Sequence, residues 1–198
     1  LGDIAFSVRL NCRDGGIFIG GEEPKHRKSN PDDQIEISIL KVSKFYGDLG
    51  KTKGALWLQI FFVPAPSVSP EILPPNTVCV TYIKKQSIAR LYNVVQQAMN
   101  HCDPGFGIFT FTFNYEKGDK GVYYTMNFEW RERNNDAENQ QLEQIKNFLA
   151  EFGDKLIDID ATREMISVDG MSAAQLQKIM MATQLSEVPT ERQLKAAS

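Results

Sequence analysis

Three aromatic side chains on predicted strands have a type and spacing that suit a binding chemistry. Trp57 and Phe61 lie on the same side of the apolar run 56–63, opposite a mainly aliphatic side. Tyr123 stands on the polar side of the run 122–130. If these sides face solvent, the flat rings can stack on nucleobases. The alternative is that Trp57 and Phe61 pack under the N-terminal segment or under a C-terminal helix that contains Ile145 and Phe148.

Lysines at the ends and turns of the same strands could contact the phosphates that accompany stacked bases. Two lie on the predicted strand 35–45, two in the turn after it, two at the end of the predicted strand 77–83 and two in the turn 116–121: Lys41, Lys44, Lys51, Lys53, Lys84, Lys85, Lys117 and Lys120. Tyr46 and Tyr82 complete the candidate binding residues. Lysines at strand ends also protect sheet edges and increase solubility, which is the alternative interpretation.

Residues for catalysis or metal binding form no recognisable motif. His26 and His101 are the only histidines, and neither belongs to a nucleophile or metal-binding pattern. Dispersed carboxylates such as Asp158, Asp160 and Glu164 are the only basis for an enzymatic alternative. We therefore predict no enzyme, no catalytic residue, no metal ligand and no cofactor.

The distribution of charge matters more here than its total. The chain has 198 residues and a net charge of −3, which argues against a nucleic-acid binder that works through bulk positive charge. Residues 1–134, however, contain 16 Lys and Arg against 14 Asp and Glu, a net charge of +2. Residues 135–198 contain 6 against 11, a net charge of −5. The aromatic-rich part is therefore mildly basic, and the acidic residues are concentrated in the last third.

The elements that must position these residues are five strands and one helix. Period-two alternation, β-branched residues and aromatic residues predict the strands, and helical spacing of apolar residues predicts the helix. The strands are Ile35–Phe45, Leu56–Val63, Thr77–Ile83, Ile108–Tyr115 and Val122–Trp130, and the helix Ser87–Met99 lies between the third and fourth. Phe109, Phe111 and Phe113 are predicted to face the core. A further short strand is predicted at 17–19, and the charged cluster 25–28 is predicted to be a loop.

This order of elements resembles the OB-fold, a five-stranded Greek-key barrel with a helix between its third and fourth strands, which binds oligonucleotides across its strands and loops. With an extra N-terminal strand and an acidic C-terminal extension, the chain is similar to single-stranded DNA-binding proteins of phages and plasmids. The resemblance implies a mainly β fold with helices (α+β), with an OB-like β-barrel domain at 1–134 and a helical extension at 135–198. The alternative is a plain α+β sandwich with the same elements packed differently.

The expected function is non-catalytic binding of single-stranded nucleic acid, with DNA favoured over RNA. The alternative is a protein-interaction or assembly module that forms a homo-oligomer through the C-terminal helix, whose apolar residues include Ile145 and Phe148. Three cysteines without CxxC spacing favour a reducing compartment. No apolar run approaches the roughly 20 residues that a membrane-spanning helix needs. We therefore expect a cytoplasmic protein without a membrane partner.

Overall fold

The computed structural model describes residues 6–11, 15–18, 26–27, 34–119 and 121–187. The strands of these segments are β1 (Phe6–Ser7), β2 (Arg9–Asn11), β3 (Gly16–Phe18), β4 (His26–Arg27), β5 (Ile35–Leu49), β6 (Thr52–Pro64), β7 (Cys79–Lys84), β8 (Ile108–Gly118), β9 (Gly121–Arg131) and β10 (Ile166–Ser167). The helices are α1 (Gln86–Met99), α2 (Asp136–Phe152), α3 (Ile159–Thr162) and α4 (Ala173–Glu187).

A mostly antiparallel sheet with the strand order β1-β7-β6-β5-β8-β9 dominates the molecule. The short strand β1 pairs with β7 in parallel, whereas the five long strands pair antiparallel. The strand β10 pairs with β5, and β2, β3 and β4 form a separate small sheet. The mixed α+β class predicted from the sequence is therefore confirmed.

The five predicted strands and the helix that follows the third are present. The hairpin of β5 and β6 is longer than predicted, because both strands continue to a turn at Gly50, whose φ of 57° is favourable for glycine. The pairing register of β5 shifts between Ile39 and Lys41, which marks a β-bulge at the point where the period-two alternation of this strand ends. In the cluster 25–28, His26 and Arg27 form a strand where a loop was predicted, and Lys25 and Lys28 lie outside the described residues.

The main hydrophobic core lies between one face of the long sheet and α1. Buried residues of β6, β8, β9 and α1 meet there: Leu58, Ile60, Phe62, Phe109, Phe111, Met126, Phe128, Ile88 and Leu91. Phe109 and Phe111 are thus core residues as predicted, and Phe113 packs against the same cluster while remaining partly exposed. The amphipathic spacing of α1 explains why its apolar side covers this face.

The opposite face of the sheet is covered by α2. Phe148 and Leu156 of the C-terminal part pack with Phe61 and Val80 in a second buried cluster. The side chain of Asn135 caps α2 by accepting a hydrogen bond from the Glu138 amide at 2.9 Å. The described part of the extension therefore packs on the sheet.

In the described residues the sheet is not closed into a barrel, so the OB-like barrel predicted from the sequence is not confirmed. No strand ladder joins β7 to β9 among the described residues. The edge of β7 that does not pair with β6 is occupied by β1, and the Val8 amide donates a further hydrogen bond to the Val80 carbonyl at 2.9 Å. On the other side, the backbone amide of Met126 in β9 donates to the Ser87 hydroxyl of α1 at 3.0 Å. The outer edges of β7 and β9 therefore contact β1 and α1 respectively, and α1 lies between these two strands.

In the described part of the chain, none of the helices combines the length and apolar composition needed to cross a bilayer.

Candidate nucleic-acid interface

Two of the three leading aromatic candidates are buried. Phe61 is 1% exposed and lies in the cluster beneath α2. Trp57 is 7% exposed, its indole Nε1 donates to the Gly47 carbonyl at 3.2 Å, and α4 lies against its strand. Neither ring is presented to solvent, because the C-terminal helices cover the sheet face to which these residues belong. In this conformation they therefore do not act as the open stacking platforms that the sequence predicted.

The two further tyrosines also have internal roles. Tyr46 is buried at the point where Ile166 of β10 pairs with it. The Tyr82 hydroxyl accepts a hydrogen bond from the Gln59 amide at 2.6 Å and donates to the Asp158 carboxylate at 3.1 Å. Burial raises the pKa of Tyr82 above its ordinary value, with the Asp158 charge acting in the same direction. Tyr82 thus attaches the C-terminal segment to the sheet.

Four of the candidate lysines have partners within the chain, and three of these four lie on β5 and β7. The Lys41 ammonium donates to the Leu156 carbonyl at 3.0 Å and to the Gly153 carbonyl at 3.4 Å. The Lys44 ammonium lies 4.7 Å from the centre of the Tyr92 ring, at cation–π distance. The Lys84 ammonium donates to the Thr52 hydroxyl at 3.0 Å and lies 5.1 Å from the Trp57 ring centre.

The other lysines lie on the surface. Lys51, Lys53, Lys85 and Lys117 are exposed, whereas Lys120 lies outside the described residues. At the end of the β5–β6 hairpin the Lys53 ammonium is 2.8 Å from the Asp48 carboxylate, and hydrogen bonds from Lys53 and the Gly54 amide lower the pKa of Asp48. Part of the positive charge of this turn is therefore already balanced by an acidic neighbour.

The hairpin of β8 and β9 extends beyond the rest of the sheet. The register of β8 with β5 ends at Phe111, whereas β8 and β9 remain paired as far as Gly118 and Gly121. We call residues 112–119 and 121–127 the β8–β9 arm. Tyr123 is 38% exposed on one face of this arm, and Tyr115 is exposed on the other, in edge contact with Tyr124.

The face of the arm that carries Tyr123 holds a hydrogen-bonded polar cluster. One side of the two strands carries the alternate side chains of Asn114, Glu116, Tyr123, Thr125 and Asn127. We call these five residues the Tyr123 face. Glu116 pairs directly with Tyr123 across the strands. The guanidinium of Arg90, from α1, reaches this face. It donates to Glu116 at 2.6 Å, to Asn127 at 2.8 Å and to the Thr125 hydroxyl.

Glu116 is the centre of that cluster. Its Oε1 also accepts hydrogen bonds from the Asn114 amide at 2.8 Å and from the Thr125 hydroxyl at 3.1 Å. These donors, with Arg90 first among them, lower the pKa of Glu116, so it is a carboxylate at neutral pH. Arg90 and Glu116 together are electrically neutral and join α1 to the arm.

Sequence reasoning missed Arg90 and Tyr115. Tyr115 continues the alternating stripe of Phe109 to Phe113, and only its position beyond the last pair with β5 distinguishes it from a core residue. Arg90 lies on the polar side of a predicted amphipathic helix, where a basic residue is ordinary. The sequence pattern of α1 contains no signal that its guanidinium reaches another element.

No protein-family model, curated protein or solved structure gives a significant match to this chain. Within the described residues, no three His, Cys, Asp or Glu side chains are grouped as a metal ion would require. The placement of the exposed aromatic and basic side chains is thus the main basis for a functional interpretation.

Proposed function

We propose that this protein binds single-stranded nucleic acid, with DNA favoured, through the β8–β9 arm. The observation that carries the proposal is the exposed side chain of Tyr123 near the turn of the two-stranded arm, among polar side chains. A tyrosine in such a place adds nothing to the core, whereas its ring is available for stacking on a base. The proposed activity is non-catalytic and needs no cofactor.

The topology of the sheet supports the same proposal. The five long strands follow the order β7-β6-β5-β8-β9, and α1 follows the third of them along the chain, as in the OB-fold. We interpret the sheet as an open relative of that barrel. The two hairpin turns that border the OB binding groove then correspond to the β5–β6 turn with Lys51 and the β8–β9 turn with Lys117.

The proposed interface differs from the one expected on a simple OB template. The sheet face that holds Phe61 is covered by α2, which leaves the arm and the hairpin turns as the accessible parts. Binding through a few stacked bases and lysines is expected to be tolerant of sequence and sensitive to salt.

Fluorescence anisotropy with a labelled oligo-dT at low salt tests the proposal. Tyr123→Ala should weaken binding by about fivefold to 150-fold, because a stacked base is worth about 1–3 kcal/mol. Tyr123→Phe should keep most of the affinity, since the ring remains. Phe106→Ala is the matched control, because Phe106 is an exposed aromatic residue in the 3₁₀ turn before β8 and outside the arm.

Two results would refute the proposal. The first is the absence of oligo-dT binding by the wild-type protein at low salt. The second is equal loss of affinity in Tyr123→Ala and Phe106→Ala, which would show that the arm has no special part in binding.

A specific observation also favours the second candidate, an assembly module. Exposed apolar side chains are concentrated in the C-terminal segment, including Ile157, Ile159, Ile166 and Met171. Because α2 covers a sheet face, deleting residues 135–198 would disturb the fold itself. A paired substitution, Ile157→Glu with Ile159→Glu, is the better probe. If light scattering finds a monomer for both the wild type and this variant, the assembly function is excluded.

A further inference from the structure

Arg90 supplies positive charge to the Tyr123 face of the arm. The described side chains of this face are otherwise neutral, apart from the carboxylate of Glu116. That carboxylate lies directly across the strands from Tyr123, where it would repel the phosphates of a strand whose base stacks on the ring. Any nucleic acid that uses Tyr123 therefore also meets the Arg90–Glu116 pair.

The pair is accessible to such a ligand. The Arg90 and Glu116 side chains are 32% and 25% exposed. Ion pairs this close to solvent are weak, so a competing anion can replace the carboxylate. A phosphate oxygen can accept the same charge-assisted hydrogen bond from the guanidinium that the Glu116 carboxylate accepts.

The hydrogen bonds of Arg90 divide into two sets. The Nη1 atom donates to Thr125 and Asn127, which are neutral side chains of the arm, and the Nη2 atom donates to Glu116. If Glu116 moves away, Nη1 still holds the guanidinium on the arm, and Nη2 becomes available. The two hydrogen bonds of Nη1 thus allow Arg90 to stay on the Tyr123 face while its anionic partner is exchanged.

We propose that Arg90 binds a phosphate of the nucleic acid that stacks on Tyr123, and that Glu116 occupies the guanidinium until this phosphate displaces it. The inference rests on the proposed function and names a contact within the same interface. It assigns Glu116 an inhibitory effect on binding, because its carboxylate competes with the ligand for Arg90.

The proposal predicts opposite effects for the two members of the pair. Arg90→Gln removes one phosphate contact, so the slope of log Kd against log salt should fall by about 0.7 and affinity at 50 mM salt by about eightfold. Glu116→Gln removes the competitor, so binding should become about twofold to fivefold tighter. A glutamine keeps an oxygen that can accept from Asn114 and Thr125, which preserves the cluster.

A matched control comes from an exposed ion pair elsewhere. Lys146 and Glu143 of α2 are 2.7 Å apart, and both are largely exposed. Glu143→Gln changes the net charge by the same amount as Glu116→Gln but should leave affinity unchanged. Lys146→Gln is the corresponding control for Arg90→Gln. Circular dichroism melting of every variant checks that α1 and the arm remain folded.

The experiment is oligo-dT anisotropy at four salt concentrations on the wild type, the two pair variants, the two controls and Tyr123→Ala. Tighter binding by Glu116→Gln with a reduced salt slope for Arg90→Gln supports the proposal. If Glu116→Gln binds more weakly or equally, or Arg90→Gln keeps the wild-type slope, the proposal is overturned, while a loss in Tyr123→Ala still upholds the proposed function. If the wild type does not bind at all, both proposals fail.

Discussion

Glu138 attaches α2 to the sheet, and its substitution should destabilise the protein in a pH-dependent way. Its two carboxylate oxygens accept hydrogen bonds from the Arg131 guanidinium at 2.8 and 3.0 Å. The backbone amide of Asn134 adds a third at 3.0 Å, and the side chain is only 3% exposed. Arg131 also pairs with Glu36 of β5 at 2.8 Å, so the cluster joins the helix to two strands. We expect Glu138→Gln to weaken this junction.

The size of the effect follows from the pKa of Glu138. Hydrogen bonds from Arg131 lower the pKa to about 2 from an ordinary value of 4.5. At 1.36 kcal/mol per unit, this difference stabilises the folded state by about 2–3 kcal/mol, after an allowance for solvent screening. Breaking a buried pair costs about 3–5 kcal/mol, and the lower end applies here because Arg131 retains Glu36.

The pH dependence has a definite sign. Because the folded pKa lies below the unfolded one, the stabilisation is fully present above about pH 4.5 and is lost as the pH falls towards 2. The free energy of unfolding of the wild type should therefore exceed that of Glu138→Gln by about 2–3 kcal/mol at pH 7, and by about half of that or less at pH 3.

Urea unfolding followed by tryptophan fluorescence at pH 7 and pH 3 measures this difference. Glu143→Gln, on the exposed side of the same helix, should change the free energy of unfolding by less than about 0.5 kcal/mol at either pH. Equal stabilities of Glu138→Gln and the wild type at pH 7 would refute the reasoning. So would a difference that is the same at both pH values, since it would not arise from ionisation of Glu138.

Two further predictions concern the sheet. Gly107→Ala should destabilise the protein by about 1–3 kcal/mol or more in urea unfolding, because its Cβ would lie 2.3 Å from atoms of the Trp130 ring and 2.6 Å from the Arg131 carbonyl oxygen; wild-type stability would contradict this close packing. Burial raises the pKa of the Cys79 thiol to about 12, so in a variant whose other two cysteines are serine, Ellman's reagent should react only after unfolding. Rapid reaction of the folded variant would show that β7 is accessible.

Local patterns were sufficient to predict the long strands and α1. The alternation from Phe109 to Tyr115 and from Val122 to Trp130 depends only on neighbouring residues, and the structure pairs these two segments along their length. The change to helical spacing after Ser87 predicted α1 for the same reason.

The alternation of side chains alone could not show whether Trp57 and Phe61 face solvent. Trp57 and Phe61 alternate with aliphatic residues, but alternation does not say which side of a strand faces water. The nearly continuous apolar run 56–63 is typical of a strand buried on both faces, and β6 is buried on both. Helix α2 lies more than 70 residues further along the chain, and its packing on this face buries Phe61.

The sequence by itself determined where the five long strands and α1 form, because these elements depend on the period of the side chains. It also determined that Tyr123 lies on a polar side of its strand. Only the tertiary structure decided that the sheet stays open, because β1, a strand of two residues without a sequence signal, takes the edge of β7. In the same way, only the tertiary structure placed Arg90 beside Glu116, since this contact joins two elements 26 residues apart.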